Sequence, residues 1–263
     1  MMGDKLLLAI DVGNTNTTIG LFEADKLRLA FKLPSSMEVT TFWGKLKEQL
    51  SMPLDKITKV AISSVVKGKG EELEASLKDH FFERGVQQPF QVMILGPRTR
   101  WPMKSMYKGN LGTDRILAAI AGAKIYGIPV IVIDIGSAVT IDLIDDRGIF
   151  IGGIILAGAE MRIRALAEFT SALPRIPIPK DRPSLIGNST IACMSSGIYH
   201  GMRKEIEGLV SAIQEDIGKT GVVVTGQGNQ LFKNNTPSGW QLDDWLVIKG
   251  IYYTVAGNGS VLR

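Results

Sequence analysis

Two aspartates in this 263-residue chain stand where chemistry could be done. Asp11 closes the apolar run "LLLAI" and opens "DVGNTNT"; Asp134 closes "VIVI" and opens "DIGSAVT". After each carboxylate come an apolar residue, a glycine, small polar residues, and a threonine that leads back into an apolar run. An ordinary hairpin tip needs only Asn-Gly or Asp-Gly. A bound phosphate asks for more: backbone N–H groups, small residues that let the backbone come close, and hydroxyls. A nucleoside triphosphate also brings a divalent cation, which takes carboxylate oxygens. Both loops supply that set. The plainer alternative is that Asn and Thr only satisfy the turn's own backbone. It suits either loop alone and is weakened by the match between the two.

A third acidic residue, Asp114, sits with Arg115 in "YKGNLGTDRILAAIAGA" at 107–123, where an apolar-faced helix begins. A carboxylate there suits the helix dipole and can serve as a simple cap. It can also serve as a general base that takes the proton of a substrate hydroxyl, with the Arg115 guanidinium gripping a carboxylate or phosphate. Other polar candidates carry less. His80 reads as a surface residue of a charged helix, and His200, between Gly197 and Gly201, as helix packing or an interface. Cys193, at an apolar helix start with no histidine partner in view, reads as core. "VVVTGQG" at 222–228 is a strand running into a glycine turn, which could border an adenine ring or simply join strand to helix. No GxxxxGK[ST] phosphate loop exists, and "GQGNQL" at 226–231 lacks the third glycine of a dinucleotide fingerprint.

These residues need elements to hold them. Short branched runs predict strands at 6–10, 17–22, 26–33, 59–63, 91–95, 130–133, 140–145, 148–151 and 221–224. Helical periodicity covers 40–50, 71–84, 113–126, 160–171, 190–217 and 244–256. Proline-containing segments at 96–110 and 174–188 read as loops. Strands and helices intermix, so the class is α/β. "AIDVGNTNTTIGLF" at 9–22 echoes "VIDIGSAVTIDLID" at 132–145, nearly half the chain further on. A unit repeated once predicts a duplication, with two similar halves facing each other and both carboxylates in one cleft.

Composition narrows the function. The chain is 45% hydrophobic and 21% charged, enough to build a large core without staples. One cysteine excludes an intrachain disulfide framework and points to a reducing compartment. Residues 1–30 carry no signal-peptide pattern, because Asp11 interrupts the apolar run, and no apolar stretch has bilayer length. A net charge of +4 fits an anionic small molecule as easily as nucleic acid, but there is no run of five or more basic residues, and neither nucleic acid nor membrane is expected as a partner. Two histidines and one cysteine leave metal binding to oxygen ligands.

Taken together and in order, the motifs resemble the type III pantothenate kinases: "DVGNTNTTIG" at 11–20, "SSVV" at 63–66, "GTDR" at 112–115, "DIGSAVTID" at 134–142, "GGIILAG" at 152–158, "LAEFTSALP" at 166–174, "GNST" at 187–190 with "SGIYHG" at 196–201, "VVVTGQG" at 222–228 and "LVIKGIYY" at 246–253. The resemblance implies the acetate kinase/hsp70/actin superfamily: two ribonuclease H-like halves, expected at 1–112 and 113–263, with an ATP cleft between them. It implies ATP-dependent phosphorylation of pantothenate in the cytoplasm. Asp11, Val12, Gly13, Asn14, Thr15, Asn16, Thr17 and Thr18 would bind the ATP phosphates, with Asp11 also ordering Mg²⁺, and Ser137 would touch ATP. Asp114 would accept the proton; Gly112, Thr113, Asp114, Arg115 and Tyr107 would contact pantothenate. Asp134 would hold K⁺ or NH₄⁺, and Thr190 would reach pantothenate across a homodimer interface. The chain departs from the family pattern at Ser137 (usually Thr), Ala157 and Lys67 (usually Pro) and "TGQG" (usually "TGG"), the last bearing on adenine contacts. The competing functions are another phosphotransferase of the superfamily, such as a sugar kinase or polyphosphate-cleaving enzyme, and a non-enzymatic accessory factor for gene activation.

Overall fold

The computed structural model describes residues 6–50, 56–82 and 91–256. The side chain of His80, read above as a surface group, lies outside the described residues. The chain divides into two compact units, Met1–Ala121 with Trp245–Arg263, and Gly122–Asp244.

The first unit is a five-stranded sheet with helices on both faces. Its strands are β1 (Leu6–Val12), β2 (Asn16–Glu23), β3 (Lys26–Pro34), β4 (Ile57–Ser64) and β5 (Gln91–Leu95). They lie in the order β3-β2-β1-β4-β5, antiparallel among the first three and parallel from β1 to β4 to β5. Alternation along β1 sorts the core. Leu6, Leu8, Ile10 and Val12 pack with Phe42, Trp43 and Leu46 of α1 (Val39–Leu50) and with Leu73 and Leu77 of α2 (Lys69–Phe82). Leu7 and Ala9 face the other way, toward Leu117 of α3 (Thr113–Tyr126) and toward α8 (Leu246–Val255). Each large aliphatic side chain buried in this way stabilises by about 1.5–3 kcal/mol. The Trp43 indole donates to Ser76 Oγ at 2.7 Å, which ties α1 to α2. Phe22 stacks on Tyr252 of α8, ring centroids 4.7 Å apart. Burial there pushes the Tyr252 phenol above its usual range, with Asp25 and Tyr253 adding to the effect.

The second unit repeats the plan. Its strands are β6 (Val130–Ile135), β7 (Ala138–Ile144), β8 (Phe150–Ala157), β9 (Gly221–Thr225) and β10 (Trp240–Leu242), in the order β10-β9-β6-β7-β8. Read from its other edge, this is β8-β7-β6-β9-β10, the topology of the first sheet with β1 matched by β6 and β4 by β9. The expected duplication is therefore present in the strand order as well as in the sequence echo. One face packs against α4 (Ala159–Phe169), α5 (Thr190–Ser196), α6 (Met202–Ile217) and the short α7 (Gln230–Lys233), through Ile163, Met194, Met202, Ile206, Val210 and Phe232.

Several local expectations need correction. The strand expected at 148–151 is the start of β8, which runs on through "GGIILA"; Gly152 and Gly153 conceal it, and the register shifts beside Ile144 as a bulge. The helix expected over 190–217 contains a π-helical turn at Gly197–Gly201. Strand β10 is three residues long, too short for a periodic signal. Cys193 is exposed, not core: on α5 the inward positions are Met194 and Ser196, and the Cys193 thiol faces the Gly187 carbonyl at 3.3 Å.

Candidate active site

In the first unit β1, β4 and β5 run parallel, so Asp11, Ser63 and Leu95 stand together at their carboxyl ends. This is the edge at which open α/β sheets bind ligands. Register places Asp11 opposite Thr18 on β2 and opposite Ser63 on β4. Paired residues in a sheet project to the same face, so the carboxylate stands between two hydroxyl-bearing residues. The tip that follows Asp11 is short and tied down. The Gly13 N–H donates to the Asn16 carbonyl at 3.0 Å, and Asn14 and Thr15 are exposed. Ser35 braces the tip from β3's end: its N–H donates to the Thr15 carbonyl at 3.0 Å, and its hydroxyl shares a 3.0 Å hydrogen bond with buried Thr17. Val12 is core, and its carbonyl accepts from Val65 N–H of the "SSVV" turn at 3.1 Å. Of the expected phosphate loop, Asn14, Thr15 and the backbone around them are thus open to a ligand, whereas Val12 and Thr17 hold the loop in shape.

Asp114 and Arg115 begin α3, as the sequence suggested. The carboxylate turns back beside Gly112, where an added Cβ would lie 2.6 Å from Asp114 Oδ1, so a side chain there would push the carboxylate aside. Asp114 Oδ1 also accepts from the Arg115 N–H at 2.9 Å. The Arg115 guanidinium lies over the Tyr107 ring, 5.2 Å from its centroid, and the residue is only 8% exposed. The structure therefore brings Tyr107, Gly112, Thr113, Asp114 and Arg115 together from a loop and one helix start.

In the second unit Asp134 occupies the place on β6 that Asp11 has on β1. Its neighbours in register are Thr140 on β7 and Thr225 on β9. Gly226, with φ +86°, follows Thr225, and a Cβ there would lie 2.3 Å from Asp134 Oδ1. The "TGQG" turn thus presses its backbone against the Asp134 carboxylate, an approach only glycine permits. The Ser137 carbonyl accepts from Gly158 N–H at 3.1 Å, so the β6–β7 turn is held by the end of β8. Thr190 is exposed at the first turn of α5, beside the capping Ser189, whose hydroxyl accepts from Ala192 N–H. The loop ahead of it is strapped to the helix: Ser196 Oγ donates to the Leu185 carbonyl, and the half-buried His200 ring meets the Pro183 carbonyl at 2.9 Å through Nε2. Among the described residues no three His, Cys, Asp or Glu side chains form a metal-binding group, and no helix is long and apolar enough to cross a membrane.

The sequence reading assigned no role to Ser63, Thr225 or Ser35. Ser63 lay in the quoted "SSVV" and Thr225 in "VVVTGQG", but their places beside the two aspartates follow from strand register, which the local sequence does not display.

The family model for type III pantothenate kinase matches residues 7–212, most of the chain and both aspartate loops. The chain belongs to the type III pantothenate kinase family. It is 32% identical over 253 residues to a type III pantothenate kinase of Agathobacter rectalis, covering 94% of this chain and 95% of that one. To a type III pantothenate kinase of Brevibacillus brevis it is 33% identical over 263 residues, covering 97% and 100%. Among solved structures, MreB 5 of Spiroplasma citri bound to AMPPNP superposes with a TM-score of 0.52 at 13% identity, covering 96% of each chain. That likeness shows a shared fold across a wide sequence distance. It fits the paired five-stranded sheets described above.

Proposed function

We propose that this chain transfers the terminal phosphoryl group of ATP to the primary hydroxyl of pantothenate, the first step of coenzyme A synthesis. The observation that carries the reading is the family match over residues 7–212, which spans the Asp11 loop, the Asp114 helix start and the Asp134 loop. In this reading the residues Asp11 to Thr18 hold the ATP phosphates. Asp114 accepts the pantothenate hydroxyl proton as the oxygen bonds to the γ-phosphorus and the bond to the departing ADP oxygen breaks. Arg115, already packed on Tyr107, offers its guanidinium to the pantothenate carboxylate, with Gly112 and Thr113 beside it. Ser137 contacts ATP.

The donor set fits the expected cations. Mg²⁺ keeps several waters and needs one or two carboxylates plus phosphate oxygens, which Asp11 and a nucleotide would supply. When bound, it neutralises charge on the phosphate oxygens. Asp134, with Thr140 and Thr225 in register and the Gly226 backbone against it, offers the oxygen-rich setting for K⁺ or NH₄⁺. A homodimer is supported by apolar side chains left exposed on the second unit. Phe169 is 85% and Ile186 84% exposed, and Leu185 and Ile191, the latter next to Thr190 in the chain, are also exposed. One cysteine fits a cytoplasmic setting.

The test is a purified-protein assay. With ATP, Mg²⁺ and K⁺, pantothenate should be converted to its monophosphate with one ADP formed per product, read by mass spectrometry. Sugars and polyphosphate should give no turnover. Phosphorylation of a sugar with none of pantothenate would overturn the assignment.

A further inference from the structure

Ser63 is fully buried, and its hydroxyl has no hydrogen-bond partner among the described residues. Leaving a buried hydroxyl unpaired is unfavourable, and native structures rarely do so without a reason. Its setting makes the choice of serine less expected still. Two residues earlier on the same face of β4 stands Ala61, paired in register with Ala9 on β1, and both lie in the apolar cluster under α3 and α8. Continuing that pattern would place an alanine at 63. Its neighbour Ser64, on the other face, behaves as a turn serine: its hydroxyl donates to the Val66 carbonyl at 2.8 Å and accepts from Val66 N–H at 3.1 Å. Ser63 makes no such local bond.

What lies beside Ser63 is Asp11. The two are paired in register at the carboxyl edge of the parallel strands, on neighbouring strands about 4.8 Å apart. The second unit repeats the arrangement, with Thr225 paired to Asp134 at the corresponding step of β9. A hydroxyl on the following parallel strand therefore accompanies the aspartate in both units, whose turns differ in length and sequence. That points to a role shared with the aspartate, not to the needs of one turn.

We propose that Ser63 is a further binding residue for the terminal phosphate of the nucleotide, its hydroxyl donating to an anionic oxygen of that phosphate. The inference rests on the kinase reading for the identity of the ligand. The orphan hydroxyl is then a group held ready, satisfied only when the triphosphate is in place.

The test compares the full chain with Ser63→Ala and Ser63→Cys, the second nearly isosteric and a poor hydrogen-bond donor. Binding of Mg²⁺·AMPPNP and of Mg²⁺·ADP is measured by calorimetry, and unfolding temperature without ligand by scanning fluorimetry. Both variants should unfold at or above the parent's temperature, because an unpaired buried hydroxyl has been removed. The AMPPNP affinity should fall about tenfold or more, as for a lost hydrogen bond to a charged group, while ADP affinity stays within twofold. A structural role predicts the reverse: lower unfolding temperature and an unchanged ratio of the two affinities. An unchanged ratio in either folded variant overturns the proposal, as does absence of AMPPNP binding to the parent. If the parent discriminates AMPPNP from ADP through Ser63 but does not phosphorylate pantothenate, the pantothenate reading fails and the Ser63 assignment stands. If the parent phosphorylates pantothenate and the ratio does not move, only the Ser63 assignment fails.

Discussion

The space beside Gly112 is filled by the Asp114 carboxylate, and the start of α3 holds that carboxylate next to Arg115. Asn at 114 keeps the shape and loses the base. Asp114→Asn is expected to lower kcat by roughly 10²–10⁴, the range for a positioned acid–base group, with ATP affinity retained. Turnover within threefold of the parent in a coupled ADP assay would remove Asp114 from the base role. The same logic applies to Asp134 as a cation ligand. Activity should be low in Na⁺ buffer and rise with K⁺, and Asp134→Ala should abolish that rise. Equal rates in matched Na⁺ and K⁺ buffers would dismiss the cation site.

Among the elements, the β7–β8 turn offers a clean electrostatic test away from the site. Asp145 Oδ1 accepts from Ile149 N–H at 2.8 Å and from Arg147 N–H at 3.0 Å, and Oδ2 accepts from the Arg147 Nε at 2.8 Å. Burial alone would raise the Asp145 pKa, but the hydrogen bonds from Ile149 and Arg147 outweigh it and hold the carboxyl below its ordinary 3.8. A depressed folded-state pKa means that the stabilisation is fully present above 3.8 and is lost as pH falls through the folded value. Asp145→Ala should therefore cost about 1–2 kcal/mol at pH 7. The gap should narrow in denaturation curves taken at successively lower pH below 3.8. A gap independent of pH would show that the turn depends on Asp145 for packing alone. A second element, the turn after β9, is tested by Gly226→Ala. The added methyl meets Asp134 Oδ1, and φ +86° is unfavourable for alanine. The variant should lose about 1–3 kcal/mol and need more K⁺ for half-maximal rate, both measurable on the same preparation. An unchanged K⁺ response would detach this turn from the cation site.

For the whole molecule the open question is assembly. Phe169, Leu185, Ile186 and Ile191 are exposed on the same unit as Thr190, and a two-fold interface that covered them would place Thr190 near a partner's substrate. Asp114→Asn and Thr190→Trp should each be nearly inactive alone. Mixed and allowed to exchange, random two-fold pairing makes about half the dimers heterodimers, each with one doubly defective and one intact site. Roughly a quarter of all sites should then recover pantothenate phosphorylation. If exchange is verified by mass and no activity returns, Thr190 does not act across an interface.

The sequence by itself singled out the candidate carboxylates and determined most of the elements. Asp11, Asp114 and Asp134 were visible because each interrupts an apolar period with a carboxylate followed or preceded by glycine, and local pattern is enough to detect that. The duplication was visible for the same reason, as a repeated short pattern. Tertiary structure decided which residues flank the aspartates. Ser63 meets Asp11 and Thr225 meets Asp134 only through parallel pairing between strands far apart in sequence, and no local period encodes that register. It also turned Cys193 outward and let β8 continue through two glycines, because helix orientation and ladder hydrogen bonds are set by neighbouring elements, not by the residue's own propensity. The carboxyl terminus shows the same division of labour. "LVIKGIYY" read correctly as a helix, but only the fold carries α8 back to the first unit, where a Cβ on Gly250 would collide with the Leu117 backbone.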